Sequence, residues 1–326
     1  MMKRREFFAL LGATAFAWPL AARAQQPMPV IGFLNVASPE GYANYVAAFR
    51  DGLKESGYVD GQNVTIEFRW AEGRYDRLPE MAADLARRQV SVIVANTPAN
   101  LAAKAATATI PVVFTTASDP VQIGLVTNLS RPGGNVTGVS QLNASLGPKR
   151  LELAHELFPA ASAIAVLANP NDAGRADALK AQAQAAATHL GLQLHFLYAG
   201  TEAEIESTFA GFSQLNAGAL VIGADAFYNA KSKLLAELSL RHAVPAIYEY
   251  SEFTGAGGLM SYGGNIKESY RWAGIYTGRI LKGSAPADLP VQQSSTVELI
   301  INLKTAKALG ITVPISLLGR ADQIIE

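Results

Sequence analysis

Cysteine is absent from the 326-residue chain. Its absence excludes disulfides, thiolate metal ligands, cysteine nucleophiles and the lipid-modified cysteine that would tether an exported protein to a membrane. Histidine is scarce as well: the chain has four, and none of them has the HxH or HExxH spacing of a metal site. We therefore expect neither a metal nor a cofactor.

Charged residues make up only 17% of the chain, with 27 basic and 27 acidic side chains. Without residues 1–24, 23 basic and 26 acidic side chains remain. No basic patch therefore points to nucleic acid or to a lipid surface, and the chain lacks the N-terminal helix-turn-helix of a repressor. We expect a monomer that recognises its partners by shape.

Signatures of catalysis are missing too. The chain has no GxSxG elbow and no cysteine, and none of its histidines ends a predicted strand, so a hydrolase would lack both a nucleophile and a base. The glycine-rich segment at 255–258 precedes a predicted strand instead of joining a strand to a helix, unlike a dinucleotide-binding fingerprint. We expect a protein that is not an enzyme.

The amino terminus has the order of an export signal. Basic residues at 3–5 precede an apolar stretch at 7–20, and residues 22–24 (ARA) have the small-x-small pattern of a cleavage site. The pair Arg4-Arg5 favours the twin-arginine type, although general secretion stays open. Pro19 and Arg23 leave the stretch short of the roughly 20 apolar residues that a membrane span needs. Residues 1–24 are therefore predicted to be a removed signal peptide, and the mature protein to be periplasmic without a lipid anchor.

In the remaining 302 residues, short apolar runs alternate with amphipathic helical stretches, which is typical of βαβ units. The fold class is therefore α/β. The strands fall into two sets and predict two Rossmann-like lobes with parallel sheets. The first set is predicted at 30–36, 64–70, 90–95 and 111–116, and the second at 163–167, 192–198, 219–222, 245–248 and 258–262.

The two lobes are expected to be joined by a hinge of several crossovers. The glycine-rich stretch at 133–138 is too short and stiff for a free linker and is predicted to be one crossing. A second crossing is predicted near the C-terminus, before the strand-like segment at 296–301. The predicted lobe limits are 27–138 with 265–290 for the first lobe and 139–264 with 291–326 for the second.

Ligands of open α/β sheets bind beyond the carboxyl ends of the strands, where helix N-termini point their N–H groups. Hydroxyl and amide side chains dominate these ends in the first lobe, while carboxylates and tyrosines appear in the second. The candidate ligand-binding residues are Asn35, Ser38, Thr97, Thr116, Ser118 and Asp119 from the first lobe, with Asn171, Asp225, Tyr248, Glu249 and Tyr262 from the second.

This division suits a zwitterion. Hydroxyls and helix N-terminal amides satisfy a carboxylate, and Asp225 or Glu249 would pair with an ammonium group. Simpler roles stay open for the same residues. Thr97, Ser118 and Asp119 are of the types that cap helices, the two carboxylates could be ordinary loop residues, and the tyrosines could pack at the rim.

Several motifs resemble a known family. They are GQNV at 61–64, FTTASDPVQIGLV at 114–126, RPGGNVTG at 131–138, APADLP at 285–290 and INLKTAKALGI at 301–311. They are similar to motifs of the substrate-binding proteins of ABC transporters, in the family that includes tryptophan- and tyrosine-binding members. The resemblance covers nearly the whole mature chain.

The resemblance implies a periplasmic binding protein of type I-like fold. Such a protein binds a small molecule, here expected to be an amino acid or similar zwitterion, between its lobes by hinge closure. It then delivers the molecule to an ABC permease in the inner membrane. A periplasmic sensor that docks on a membrane receptor would have the same fold and is the alternative.

Overall fold

The structure is a computed structural model that describes residues 28–141, 143–294 and 296–326. The predicted signal peptide, residues 1–24, lies outside the described residues. None of the helices in the described part of the chain combines the length and the hydrophobicity needed to cross a bilayer.

The described strands form two sheets. In chain order they are β1 (Val30–Asn35), β2 (Thr65–Trp70), β3 (Val92–Asn96), β4 (Val112–Thr116), β5 (Val136–Ser140), β6 (Ala163–Ala168), β7 (Gln193–Tyr198), β8 (Leu220–Ile222), β9 (Ala246–Tyr248), β10 (Met260–Gly264), β11 (Gln292–Gln293), β12 (Val297–Asn302) and β13 (Gln323–Ile325).

The helices lie between these strands. They are α1 (Pro39–Glu55), α2 (Leu78–Arg87), α3 (Ala99–Ala106), α4 (Gly147–Leu157), α5 (Ala173–Leu190), α6 (Glu202–Gly211), α7 (Ala226–Ala230), α8 (Ser232–Arg241), α9 (Ser251–Gly255), α10 (Ile266–Leu281), α11 (Leu303–Ala308) and α12 (Ile315–Leu318).

The first sheet has six parallel strands in the order β11-β5-β4-β3-β1-β2. Its central strands β3 and β4 are buried along their whole length. They are rich in β-branched residues, as expected for strands covered by helices on both faces. We call this sheet with its helices the first lobe.

The second sheet has seven strands in the order β13-β12-β10-β9-β8-β6-β7. Its strands are parallel except where β12 runs antiparallel to β10, with Met260 opposite Ile301 and Gly264 opposite Val297. We call this sheet with its helices the second lobe. The predicted α/β class with two lobes of mostly parallel strands is confirmed, and the antiparallel pairing is a feature that the apolar runs did not reveal.

The chain passes between the sheets three times within the described residues, after β5, after β10 and after β11. The glycine-rich stretch predicted as a crossing instead leads into β5, which is a strand of the first sheet, and the chain crosses only after Ser140. A positive φ at Gly133 and Gly134 forms the turn before β5. The predicted lobe limits stay predictions, although β5 and β11 both pair within the first sheet.

Helix α10, which comes late in the chain, packs closely against α1 of the first lobe. Gly52 and Gly274 allow this packing because a Cβ atom on Gly52 would lie 1.9 Å from the Arg271 carbonyl oxygen, and one on Gly274 would lie 2.1 Å from the Phe49 carbonyl oxygen. Two backbones at this distance leave no room for a side chain. Helix α10, which follows β10 of the second sheet, therefore packs against α1 of the first lobe.

Candidate ligand-binding site

The carboxyl ends of the two sheets face each other across a small cavity of about 30 Å³. Thr97 follows β3 and Thr116 ends β4, both in the first lobe, while Asp225 and Glu249 follow β8 and β9 in the second. All four side chains line this cavity. The structure therefore brings together four of the residues predicted from strand ends, and we call this space the inner cavity.

The threonine side of the inner cavity is a hydrogen-bond chain with one free donor. Asn100 Nδ2 donates to Thr97 Oγ1 at 2.9 Å, and Thr97 Oγ1 donates to Thr116 Oγ1 at 2.8 Å. The Ser118 backbone N–H donates to the same Thr116 oxygen at 3.0 Å. Because Thr116 Oγ1 accepts two bonds, its own proton is available to a further acceptor.

Glu249 lies on the opposite side with a carboxylate that is only half satisfied. It is 1% exposed. With its amide nitrogen facing these groups, Asn229 can donate to Glu249 Oε1 at 3.3 Å and to the Asp225 carbonyl at 3.2 Å. Glu249 Oε2 is buried and makes no hydrogen bond of standard geometry with the described residues, although its contact with the Asn143 side chain lowers the pKa of the carboxyl. Such an oxygen calls for a donor.

Burial has a direct electrostatic effect on Glu249. Loss of solvation raises the pKa of its carboxyl to about 7. Asp225 raises the pKa in the same sense, while the positive charges of Arg150 and Arg175 oppose the shift. A cation placed in the inner cavity would favour the ionised form of Glu249.

Asp225, in contrast, already has its partners. Its Oδ1 accepts from the Phe227 N–H at 2.8 Å, as the N-cap of α7, and from Asn169 Nδ2 at 3.0 Å. The Tyr75 hydroxyl, from the first lobe, donates to its two oxygens at 3.1 Å each. Burial raises the pKa of the Asp225 carboxyl, and the Arg175 guanidinium opposes that shift. The carboxylate is therefore committed to contacts between the lobes.

Three tyrosines complete the wall of the inner cavity. Tyr42 and Tyr270 come from the first lobe and Tyr250 from the second. The rings of Tyr42 and Tyr270 meet edge to face at 5.9 Å, and the Tyr250 hydroxyl donates to Gln141 Oε1 at 3.1 Å. Burial raises the pKa of each hydroxyl, so all three stay protonated. They make the wall aromatic and uncharged.

A larger cavity of about 430 Å³ adjoins the inner one. The two share Thr97 and Arg175 in their walls. Two further predicted residues, Ser118 and Asp119, line this larger space, which we call the outer cavity. The Asp119 carboxylate accepts from the Val121 N–H at 2.8 Å, so it caps a turn as the simpler interpretation suggested.

The other five predicted residues line neither cavity. These residues make structural contacts instead, four of them through the side chain and Tyr262 through its backbone carbonyl. Asn35 accepts from the Ala37 N–H, Ser38 caps α1, Asn171 donates to the Gly200 carbonyl, the Tyr248 hydroxyl bonds Asn229, and the Tyr262 carbonyl accepts from Arg150.

Sequence reasoning missed several residues of the site. Tyr42 belonged to the apolar stripe of a predicted helix and was interpreted as core. Arg150 and Arg175 lie within the first turns of α4 and α5, beyond the strand ends that were considered. The helix that follows Asn171 was the available signal for Arg175. Arg150 gave none.

No group of three or more histidine, aspartate or glutamate side chains in the described ranges could hold a metal ion. The cavity walls present hydroxyl donors on one side and a carboxylate on the other. Such a site can bind a small polar molecule with a hydrogen-bond acceptor at one end and a cation at the other.

Known proteins share this architecture. A tyrosine-binding protein from Clostridioides difficile (strain R20291) is 27% identical over 271 residues, which are 80% of this chain and 75% of that protein. The solved ABC domain in complex with L-Trp from Streptococcus pneumonia is 30% identical, with a TM-score of 0.77, over 91% of this chain and 99% of that one. A ligand-free, open substrate-binding protein with adhesive properties from Clostridium difficile is 26% identical over the same shares, with a TM-score of 0.60.

The family model for ABC transporter substrate binding proteins matches residues 31–325, almost the whole described chain. Of the motifs that suggested this family, the one at 114–126 begins in β4 and the one at 131–138 ends in β5. The chain therefore belongs to the ABC transporter substrate binding proteins, a family of extracytoplasmic proteins that bind small molecules.

Proposed function

We propose that this chain is the solute-binding component of an ABC importer and binds an amino acid, or a similarly small zwitterion, with its ammonium and carboxylate groups at the inner cavity. The observation that carries the proposal is that the wall of the inner cavity contains both Glu249, whose Oε2 makes no hydrogen bond of standard geometry, and Thr116, whose hydroxyl proton is free. An ammonium group satisfies the first and a carboxylate the second. Both groups are present in every free amino acid.

Selectivity follows from the burial of these groups. A ligand without an ammonium leaves Glu249 Oε2 unpaired, and an unpaired buried polar group costs about 1–3 kcal/mol, more for a charged one. The uncharged tyrosine wall leaves Glu249 and the hydroxyl groups as the polar contacts for the two charged ends of the ligand. The tyrosine-binding and L-Trp-bound relatives support an aromatic amino acid.

The proposed mechanism is closure of the two lobes over the ligand. Contacts between Tyr75 and Asp225 support a closed arrangement here. The likeness to the L-Trp complex, with a TM-score of 0.77, exceeds that to the open protein, at 0.60, although the two identities are close. The closed form would then dock, as a periplasmic monomer, on an ABC permease of the inner membrane. Nucleic acid has no part in this function.

Thermal unfolding with added amino acids tests the proposal. A ligand at about one hundred times its Kd stabilises a folded protein by about 2.7 kcal/mol. We expect tyrosine, tryptophan or another amino acid to raise the Tm, whereas the matching acid without the amino group leaves it unchanged. If only sugars or nucleosides raise the Tm, the zwitterion proposal is wrong.

The Glu249→Gln variant tests the ammonium role. Truncating one partner of a buried charge pair costs about 2–5 kcal/mol, so calorimetry should show an affinity loss of about 30-fold or more. The matched control is Glu237→Gln, on the exposed face of α8, which should bind like the wild type. Equal affinities for both variants would remove Glu249 from the site.

A further inference from the structure

The outer cavity is larger than the α-amino group and carboxylate of an amino acid require. Its volume of about 430 Å³ falls in the range of about 300–1,000 Å³ typical of pockets that enclose drug-sized ligands. It lies next to the inner cavity, and Thr97 and Arg175 belong to both walls. A molecule whose charged end occupies the inner cavity can therefore extend into the outer one.

The walls of the outer cavity suit an apolar group. Pro98, Leu101 and Ile123 line it from the first lobe, and Ala178 and Leu179 on α5 line it from the second. Closure of the lobes would place an apolar segment of the ligand between these two surfaces. Burial of that segment adds about 25 cal/mol for each Å² of apolar surface removed from water.

The same wall contains a buried positive charge. Arg150 lines the outer cavity and is 1% exposed. Its guanidinium donates to the Tyr262 carbonyl at 3.1 Å and to the Asn143 carbonyl at 2.9 Å. Its Nε has no acceptor, and although Glu249 is its main electrostatic partner, no carboxylate of the described residues forms an ion pair with it within 4.0 Å. A guanidinium pairs best with a carboxylate.

From these observations we infer that the ligand is a short peptide, or an amide-linked amino-acid derivative, with a free amino terminus and a carboxylate at its far end. The inference rests on the proposed function, because it keeps the amino group at Glu249. The first peptide carbonyl takes the Thr116 hydroxyl proton. The second residue lies between Leu101 and Leu179, and its carboxylate faces Arg150.

A free amino acid satisfies only part of this arrangement. Its carboxylate is one carbon away from its ammonium group, so both stay in the inner cavity. Its side chain then enters the outer cavity without a group that Arg150 can pair with. A dipeptide instead separates its two charges by the length of a peptide unit and supplies a third polar group between them.

Calorimetry with glycyl-tyrosine, glycyl-tyrosinamide and free tyrosine tests the inference on the full mature chain. We expect glycyl-tyrosine to bind at least tenfold more tightly than tyrosine and glycyl-tyrosinamide. The Arg150→Lys variant, which keeps the charge but removes the planar donors, should reduce the difference between the dipeptide and its amide. A cooperative thermal transition checks that each variant is folded.

The Ala178→Trp variant fills the outer cavity from the exposed face of α5 and leaves the inner cavity unchanged. It should lose at least tenfold in affinity for glycyl-tyrosine. Ala185→Trp is the matched control, since Ala185 is exposed on the same helix and lines neither cavity.

The outcomes separate the inference from the proposed function. If tyrosine binds as tightly as glycyl-tyrosine, or if Ala178→Trp binds the dipeptide like the wild type, the peptide inference is wrong and amino-acid binding stands. If neither tyrosine, another amino acid nor the dipeptide binds the wild type, the proposed function itself fails.

Discussion

The Tyr75 hydroxyl of the first lobe lies 3.1 Å from each carboxylate oxygen of Asp225 in the second. Asn169 Nδ2 donates to the same hydroxyl oxygen at 3.0 Å and to Asp225 Oδ1 at 3.0 Å. The three side chains form a closed triangle of hydrogen bonds between the lobes. Because this triangle is complete without a ligand, it bears on how firmly the lobes stay together and not on which ligand they hold.

Tyr75→Phe removes this contact and keeps the ring. A hydrogen bond to a charged group contributes about 1.5–3 kcal/mol, so ligand affinity should fall roughly tenfold to a hundredfold. The factor should be the same for every ligand, because the phenol contacts none of them. Calorimetry measures the loss, and the solution radius from X-ray scattering should increase. Tyr198→Phe, on an exposed tyrosine, is the control. Unchanged affinity in Tyr75→Phe would show that the triangle does not hold the lobes.

A double-mutant cycle with Tyr75→Phe and Asp225→Asn tests whether the two residues act as a unit. Residues in one hydrogen-bond network show coupling energies of about 0.5–3 kcal/mol, so the double variant should lose less affinity than the two single losses added. Asp225 was the first candidate for the ammonium partner, together with Glu249. If Asp225→Asn discriminates between a ligand with an amino group and one without, Asp225 binds the ammonium after all.

Ligand binding should depend on pH through Glu249. Burial raises the pKa of its carboxyl to about 7, so much of it is protonated below that pH, while an ammonium ligand prefers the ionised form. Affinity should therefore rise as the pH rises from 5 to 8, and binding at pH 6 should release protons. Asp225, Arg150, Arg175 and the tyrosines at 248 and 250 surround this carboxyl. Calorimetry in buffers of different ionisation enthalpy measures the release.

The stability of the unliganded protein should change with pH in the opposite sense. Between the unfolded pKa of about 4.5 and the folded pKa of about 7, the folded state binds more protons, so the Glu249 contribution to stability falls as the pH rises. Glu249→Gln should remove both this contribution and the proton release. If the variant keeps the pH dependence of the wild type, a group other than Glu249 causes that dependence.

Gly52→Ala should destabilise the first lobe. The added methyl group would lie 1.9 Å from the Arg271 carbonyl oxygen, so α1 and α10 must move apart. Overpacking of this kind costs about 1–3 kcal/mol or more, which urea denaturation measures. Gly211→Ala on α6 is the control because nothing lies within 4 Å of its added carbon. The Gly211→Ala variant should be as stable as the wild type or more stable. Equal stability of both variants would contradict the close packing.

The exported protein should begin at Gln25 and carry no lipid. The small-x-small pattern at 22–24 and the absence of cysteine are the reasons. The intact mass of periplasmic material decides this prediction. Retention of residues 1–24, or recovery in the membrane fraction, would contradict it.

Much of the fold could be predicted because its signals are local. Apolar runs such as 163–167 and 219–222 are strands of the second sheet, and the alternation with helices was enough for the α/β class. The position of β5 could not be predicted, because its glycine-rich start resembles a turn. The antiparallel β12 could not be predicted either, since strand direction depends on where the preceding chain has gone.

The candidate site was predictable in outline. Strand ends of parallel sheets meet at one edge, and the structure places Thr97, Thr116, Asp225 and Glu249, which this rule selected, in the wall of the inner cavity. The rule does not distinguish an end that faces the other lobe from one that turns back into its own, as Asn35 does. It also passes over residues that begin helices, which is why Arg150 was missed.

The sequence by itself determined the predicted export signal, the family resemblance and the alternation of strands and helices, because each of these lies in a continuous stretch of chain. Only the tertiary structure decided that two carboxylates on neighbouring strands, Asp225 and Glu249, differ in their hydrogen bonding. Asp225 is satisfied by Tyr75, which lies 150 positions earlier, while one oxygen of Glu249 makes no hydrogen bond of standard geometry with the described residues. A hydrogen bond needs a donor and an acceptor within about 3 Å of each other. Which donors come that close to each carboxylate depends on how segments far apart in the sequence pack together.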